Sequence, residues 1–212
     1  MIKEYYGNDY FEWQKKSGLL TAKLSTFKFS KYIEKEKKVL EFGCGGGFLL
    51  DKLDVRQKKG VEVNPFALQS CLAKGLDVVT NLDEIPDNWA DVVISNHVLE
   101  HVENPIQELK KIMMKMKHGG IIIFVVPNEK KAKYDTNDIN KHLYTWTELN
   151  LGNLFNAAGY HLIEVLEVKH RWFPFIGKFI DLFGLAATHF VCRIYGFLFN
   201  DLSQIKIVAR KK

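Results

Sequence analysis

The sequence predicts an α/β fold, a parallel sheet with helices on both faces, and three observations predict it. From Val39 onward short apolar runs alternate with helical patterns, giving strands at 38–42, 59–63, 77–79, 90–95 and 120–126 and helices near 47–54, 65–74 and 105–117. Such alternation builds a parallel sheet with crossover helices. The first run, Val39-Leu40-Glu41-Phe42, leads into Gly43-Cys44-Gly45-Gly46-Gly47-Phe48, a buried strand, a sharp turn and a helix start whose free N–H groups face a ligand. Finally, Gly43, Glu62, Asn81 and Ser95 all fall at predicted strand ends, where ligands of open α/β sheets gather.

Taken in order, the chain begins without an apolar leader: Met1-Ile2-Lys3-Glu4 has no h-region. Residues 5 to 35 read as helical and rich in aromatic residues, with Tyr10 and Trp13 three apart and so on one helix face. The 212 residues suit one domain with a large core. A hydrophobic share of 47% with 26% charged residues is that of a soluble globular protein. The net charge of +5 gathers at Lys35 to Lys38 and in Arg210-Lys211-Lys212, a solvated face rather than a nucleic-acid footprint. Three scattered cysteines, Cys44, Cys71 and Cys192, lack metal-ligand spacing, and their odd number points to a reducing cytoplasm.

The glycine turn discriminates between ligands. A dinucleotide fingerprint needs a third glycine where this chain has Phe48. Glu41 near the strand tip would repel a pyrophosphate and attract a cation, which favours S-adenosylmethionine, with its ammonium and sulfonium, over NAD. Gly60-Val61-Glu62-Val63-Asn64-Pro65 reads as a second strand ending in a carboxylate close to the ~20-residue offset of a ribose-binding acid, with Pro65 opening a helix.

With these residues in view the chain resembles the class I S-adenosylmethionine-dependent methyltransferases, in the small-molecule group that includes quinone-biosynthesis O-methyltransferases. The motifs run from about Val39 to Asn128. The resemblance implies a Rossmann-like seven-stranded sheet, mostly parallel, whose antiparallel last strand, read at Gln204 to Ala209, lies between the fifth and the sixth. It implies cofactor contacts from Glu41, Gly43, Cys44, Gly45 and Gly47, and from Glu62, Val63 and Asn64. Asn81-Leu82-Asp83-Glu84-Ile85-Pro86 matches the family's adenine segment, with Asn81 where aspartate is usual and the Leu82 N–H facing a ring nitrogen. Ser95, Asn96 and His97 would border the methionine part. The N-terminal helices would close over the cofactor, and Tyr10, Trp13, His142 and Tyr144 would face the acceptor.

His97-Val98-Leu99-Glu100-His101 also matches H-x-x-E-H, the inverted zinc-peptidase motif. That motif needs a sustained helix and a third ligand further on. Here it starts at a strand end and Asn104-Pro105 soon interrupts it, so the expectation is no metal, with a zinc hydrolase as a remote alternative. His97 and His142 are the candidates for a catalytic base. Gly119-Gly120 reads as a turn before the fifth strand, the polar loop Glu129 to Lys141 as a mobile gate, and the segment up to Ala158 as a helix stopped by Gly159.

After a strand at 161–168, Arg171 to Asn200 is strongly apolar, but Lys178, Asp181 and Arg193 break the run and exclude a spanning helix. It reads as a helical insertion that could serve as a lid, a dimer surface or a membrane-surface patch. The organisation expected is a cap at 1–36, a cofactor-binding core at 37–169, an insertion at 170–200 and a final strand with a basic tail at 201–212. Function is expected to be methyl transfer to a small-molecule hydroxyl. The terminal segments resemble methyltransferases of bacterial surface-glycan biosynthesis, so a sugar or lipid-linked glycan precursor comes first and a quinone-like phenol second. A non-catalytic S-adenosylmethionine-binding protein is the reading from another class. The protein is expected to be cytoplasmic, and a monomer or homodimer.

Overall fold

The computed structural model describes residues 7–129, 133–199 and 203–212. The helical reading at Tyr5 and Tyr6, residues 130–132 of the expected gate and Asn200 lie outside them. Helix α1 (Asn8–Ser25) is followed by two short 3-10 turns and β1 (Lys38–Phe42). Then come α2 (Phe48–Lys52), β2 (Gln57–Val61), α3 (Pro65–Ala73), β3 (Val78–Val79), β4 (Ala90–Asn96), α4 (Pro105–Lys115), β5 (Met116–Asn128), α5 (Glu148–Ala157), β6 (His161–Val168), α6 (Ile176–Leu198) and β7 (Ser203–Arg210).

The seven strands form one sheet in the order β3-β2-β1-β4-β5-β7-β6. The pairs among the first five strands are parallel; β7 runs antiparallel between β5 and β6. This is the expected α/β sheet with its expected last strand. Side chains alternate between two cores, as a period of two requires. Leu40, Phe42, Val93, Ile122, Phe124 and Ile207 pack on one face with Leu109, Ile112, Leu151 and Phe155 of α4 and α5. Val39, Val92, Ile94, Ile123 and Val208 pack on the other with Ala22, Leu49, Leu50 and Cys71 of α1, α2 and α3.

Local chemistry sets the helix starts. Asn64 and Asn104 cap α3 and α4, each accepting from a backbone N–H and each followed by proline at the first helical position. Thr147 and Asn150 form a capping box at α5. Several expected boundaries move. β2 ends at Val61, so Glu62 stands just beyond the strand instead of closing it. The expected turn at Gly119-Gly120 lies inside β5, which starts at Met116 and carries an irregular register opposite Ala90 to Val92. Extra residues there are absorbed as a bulge.

The apolar C-terminal stretch is helical, as expected. α6 is interrupted at Gly184, whose φ of 76° and ψ of 174° are not helical. It is anchored by Ile176 and Cys192 against Leu24 of α1, yet Leu182, Phe183, Phe190 and Phe197 remain exposed. Among the described residues no helix is long and apolar enough to cross a membrane.

The turn after β1 depends on backbone that only glycine tolerates well. Gly43 has φ of 70°, and a Cβ there would lie 2.4 Å from Val98 Cγ2. Gly43→Ala should therefore destabilise the protein by ~1–3 kcal/mol. Urea unfolding checks this, and an unchanged midpoint would show that the turn relaxes freely.

Candidate active site

Neighbouring strands β1 and β4 lead the chain in opposite directions, so their carboxyl ends flank an open crevice. A cavity of about 440 Å³ lies there, between those ends and the inner side of α1. That volume suits a small-molecule site. α1 contributes Tyr10, Trp13 and Gln14; the glycine turn contributes Gly43, Cys44, Gly45 and Gly46; the end of β4 contributes Asn96 and His97.

Glu41 projects from β1 into this cavity and is buried. Its Oε2 accepts no hydrogen bond from any described residue. Loss of solvent holds its carboxyl well above the usual range, with negative neighbours including Glu62 adding to the effect. A buried acid with one idle oxygen beside a glycine cradle suits a cationic group. A Cβ on Gly45 would meet only Gln14 Oε1, at 3.5 Å, so the backbone there is open to the cavity.

Glu62 holds the turn in place. Its carboxylate accepts from Gly45 N–H at 2.7 Å and from Asn64 N–H at 2.8 Å. Burial raises its pKa, and these backbone donors work against the rise. Cys44, on the turn, has its Sγ 4.0 Å from Cys71 Sγ of α3.

His97 follows β4 in the left-handed region, with φ of 57°, and its N–H donates to Val125 O. The following 3-10 turn, Leu99–His101, carries Glu100 and His101 inward. The Leu143 N–H donates to Glu100 O, which draws His142 alongside. The rings of His101 and His142 meet edge to face at 4.8 Å between centroids. His142 Nδ1 is 2.8 Å from Glu129 Oε2. Burial depresses His101 to about 4. On the opposite wall Lys28 is only 5% exposed. Its Nζ donates to Asn96 Oδ1 at 3.1 Å, and burial lowers its pKa to about 7. His170, also in the wall, is paired with His189 at 2.9 Å between Nε2 and Nδ1.

The sequence-derived residues divide between the cavity and the framework around it. Glu41, Gly43, Cys44, Gly45, Asn96, His97, Tyr10, Trp13 and His142 line it together. The side chains of others stand in the framework around it. The Ser95 hydroxyl points into the sheet and donates to Phe42 O at 2.8 Å. Gly47 is packed against Leu76 and Cys71. Asn64 and Asn81 point their amide oxygens at the N–H groups of Phe66 and Asp83 as caps. Leu82 is buried in the core. Tyr144 stacks on Trp146 and donates to Glu103 O, away from the cavity. Glu62, Val63 and Asn64 border the turn without lining the cavity.

Sequence reasoning missed Gln14, Lys28, Glu129, His170 and Trp172. Glu129 follows β5, so the strand-end rule that found Asn96 would have reached it. Lys28 shows itself only as a lone cation between Phe27 and Phe29.

Comparison with known proteins gives the same answer as the geometry. Residues 13–165 match the family described as "Methyltransferase domain". The ubiquinone biosynthesis O-methyltransferase of Saccharophagus degradans is 30% identical over 112 residues, 47% of this chain and 47% of that protein. The chain thus spans less than half the length of the curated relatives it matches. A SAM-dependent methyltransferase from Archaeoglobus fulgidus superposes with a TM-score of 0.67 at 20% identity, covering 95% of this chain and 99% of that one. The [4+2]-cyclase SpnF shares the fold as well, with a TM-score of 0.65 at 18% identity over 90% of this chain and 81% of its own.

The burial of Glu41 has a pH signature. Its folded pKa lies above its unfolded value near 4.5, so its contribution to stability is present below about pH 4.5 and is lost as pH rises through the raised value. Glu41→Gln removes that loss. In ligand-free protein the variant's unfolding temperature should gain on the wild type's between pH 4.5 and pH 8. A difference independent of pH would remove Glu41 as a buried charge.

Proposed function

We propose, because the chain belongs to the methyltransferase domain family, that this cavity binds S-adenosylmethionine and that the protein methylates a hydroxyl of a small-molecule acceptor. The first candidate is a sugar or a lipid-linked glycan precursor. The observation that carries the cofactor reading is the unpartnered Oε2 of Glu41 beside the open backbone of Gly45.

The residues present fit that cofactor. Glu41 would receive its ammonium group and the turn from Gly43 to Gly45 its methionine part; Glu62, just behind the turn, keeps lone pairs beyond its two backbone donors and would reach the ribose hydroxyls at the cavity's edge. When bound, the cofactor supplies a methyl group already activated on a sulfonium. The protein's task is then to hold the acceptor oxygen in line and keep water out, which lowers such barriers by as much as ~7–11 kcal/mol. Tyr10 and Trp13 of α1 line the cavity and would close over the bound cofactor. His97 receives the acceptor proton, as imidazole does near neutral pH; His142, oriented by Glu129, is the second candidate.

The acceptor reading is supported by the polar end of the cavity, where His97, Glu100, His142, Glu129 and Lys28 offer partners to several hydroxyls. The exposed aromatic side chains of α6 support a lipid-linked acceptor met at a membrane surface. A quinone-like phenol is the second reading, favoured by the relative from Saccharophagus degradans. The free thiols of Cys44, Cys71 and Cys192 are compatible with a cytoplasmic site of action.

S-adenosylhomocysteine should raise the unfolding temperature and NAD should not; the reverse would overturn the reading. Glu62→Ala should weaken S-adenosylhomocysteine binding roughly tenfold to a hundredfold, since hydrogen bonds to a charged group contribute ~1.5–3 kcal/mol. Calorimetric titration of the folded variant checks this. Release of S-adenosylhomocysteine with panels of glycan precursors and phenols identifies the acceptor, and no turnover with bound cofactor would favour a non-catalytic role. With an acceptor in hand, His97→Ala should slow turnover by ~10²–10⁴ at near-constant cofactor affinity. Near-wild-type turnover would remove His97 as the base.

A further inference from the structure

Glu100, His101 and His142 converge at the acceptor end of the cavity, each offering one ligand atom within 4.8 Å of the other two. Glu100 is fully buried. Neither of its carboxylate oxygens accepts a hydrogen bond from a described residue, and His97 Nδ1 stands 3.5 Å from Oε1. A buried carboxylate with both oxygens idle is costly unless a charge arrives to meet it. The group sits in a cavity wall, so such a charge has a way in.

We propose that Glu100, His101 and His142 bind a divalent cation of the first transition series, with open positions that receive the acceptor's oxygen atoms. Two imidazoles and one carboxylate are a ligand set that such ions favour, and three protein ligands leave room for an external oxygen. Around an ion with bonds of ~2.1 Å the ligand atoms stand roughly 3–3.5 Å apart, so a small contraction of the observed cluster completes the site. Glu129 has the position of a supporting partner. Its bond to His142 Nδ1 fixes the ring and leaves the other nitrogen for the ion. The backbone bond from Leu143 to Glu100 fixes the distance between the two chain segments that supply the ligands.

This inference rests on the reading of the cavity as a methyl-transfer site and deepens it. A bound cation would orient a hydroxyl pair on a sugar or a catechol-like ring and lower the pKa of the oxygen to be methylated. His97, 3.5 Å from Glu100 Oε1, would then receive the proton. The sequence expectation of no metal relied on the missing third ligand. His142, 41 residues after His101 by number, supplies it from the loop before α5.

The test uses the whole chain, stripped with chelator and titrated separately with Co²⁺, Mn²⁺ and Zn²⁺. The expected results are one ion per chain by equilibrium dialysis and visible Co²⁺ absorption bands from the mixed nitrogen and oxygen ligands. His142→Ala and Glu100→Gln should each weaken binding at least tenfold. Glu100→Gln should also raise the unfolding temperature of the ion-free protein, because it removes an unmatched buried charge, and this separates ligand loss from misfolding. Failure of all three ions to bind, or equal binding by wild type and both folded variants, would overturn the site. S-adenosylhomocysteine binding to the stripped protein is measured in parallel. If it persists while the ions fail, the cation site falls and the methyltransferase reading stands; if it is absent, that reading falls on its own account.

Discussion

A buried carboxylate oxygen without a hydrogen bond is among the least favourable groups a protein can enclose, and this chain places three in one cavity wall, one on Glu41 and two on Glu100. Glu41 and Glu100 enter from β1 and from the turn after β4. Their positions follow from the sheet. β1 and β4 are hydrogen-bonded neighbours with the register Glu41 to Ile94, and their exits diverge. The parallel ladder engages backbone groups and leaves these side-chain oxygens without partners among the described residues. The glycine turn, α1 and the loop carrying His142 surround these two acids in the cavity wall.

The sheet was legible because its signals were local and repeated. Alternating runs placed all seven strands, and the glycine turn located the crevice. The cavity lining was legible where a residue's place follows from its distance to a strand end, as for Glu41, Asn96 and His97. It was not legible where the role depends on what arrives from elsewhere. Ser95 has the same address as Asn96, but one residue of register turns its hydroxyl toward Phe42 O. Asn81 has the family's position, yet its side chain also answers to a local capping rule. Lys28 and His170 join the cavity wall from segments without periodicity or motif, so no pattern announced them. Glu100 and His101 belonged to a recognised motif, but the partner that changes their meaning, His142, lies on a loop whose path no local pattern dictates.

The same scaffold carries more than one chemistry. The Archaeoglobus fulgidus methyltransferase and the cyclase SpnF superpose on this chain about equally well, which shows how little of the reaction is written in the sheet. What distinguishes this molecule lies in the cavity lining, in five ionisable side chains, His97, Glu100, His101, Glu129 and His142, and in the buried Lys28. It also lies in α6, whose aromatic surface is continuous with a segment, at Trp172, that reaches the cavity.

The position of β7 has a consequence for how the molecule comes into being. β5 and β6 do not touch directly; both are held by β7, which pairs Ile121 with Arg210 and His161 with the same residue. A nascent chain emerging at ~5–20 residues per second therefore completes β1 to β5 long before their sheet can be extended. The greasy side chains of α6 are translated before the strand that follows them. During that interval β5 presents an unpaired edge beside exposed phenylalanines, the conditions under which chains pair with one another instead of with themselves. Synthesis is thus the stage at which the β5 edge is most open to pairing with another chain, and the long sequence separation of the β5–β7 pairing makes its closure a late event.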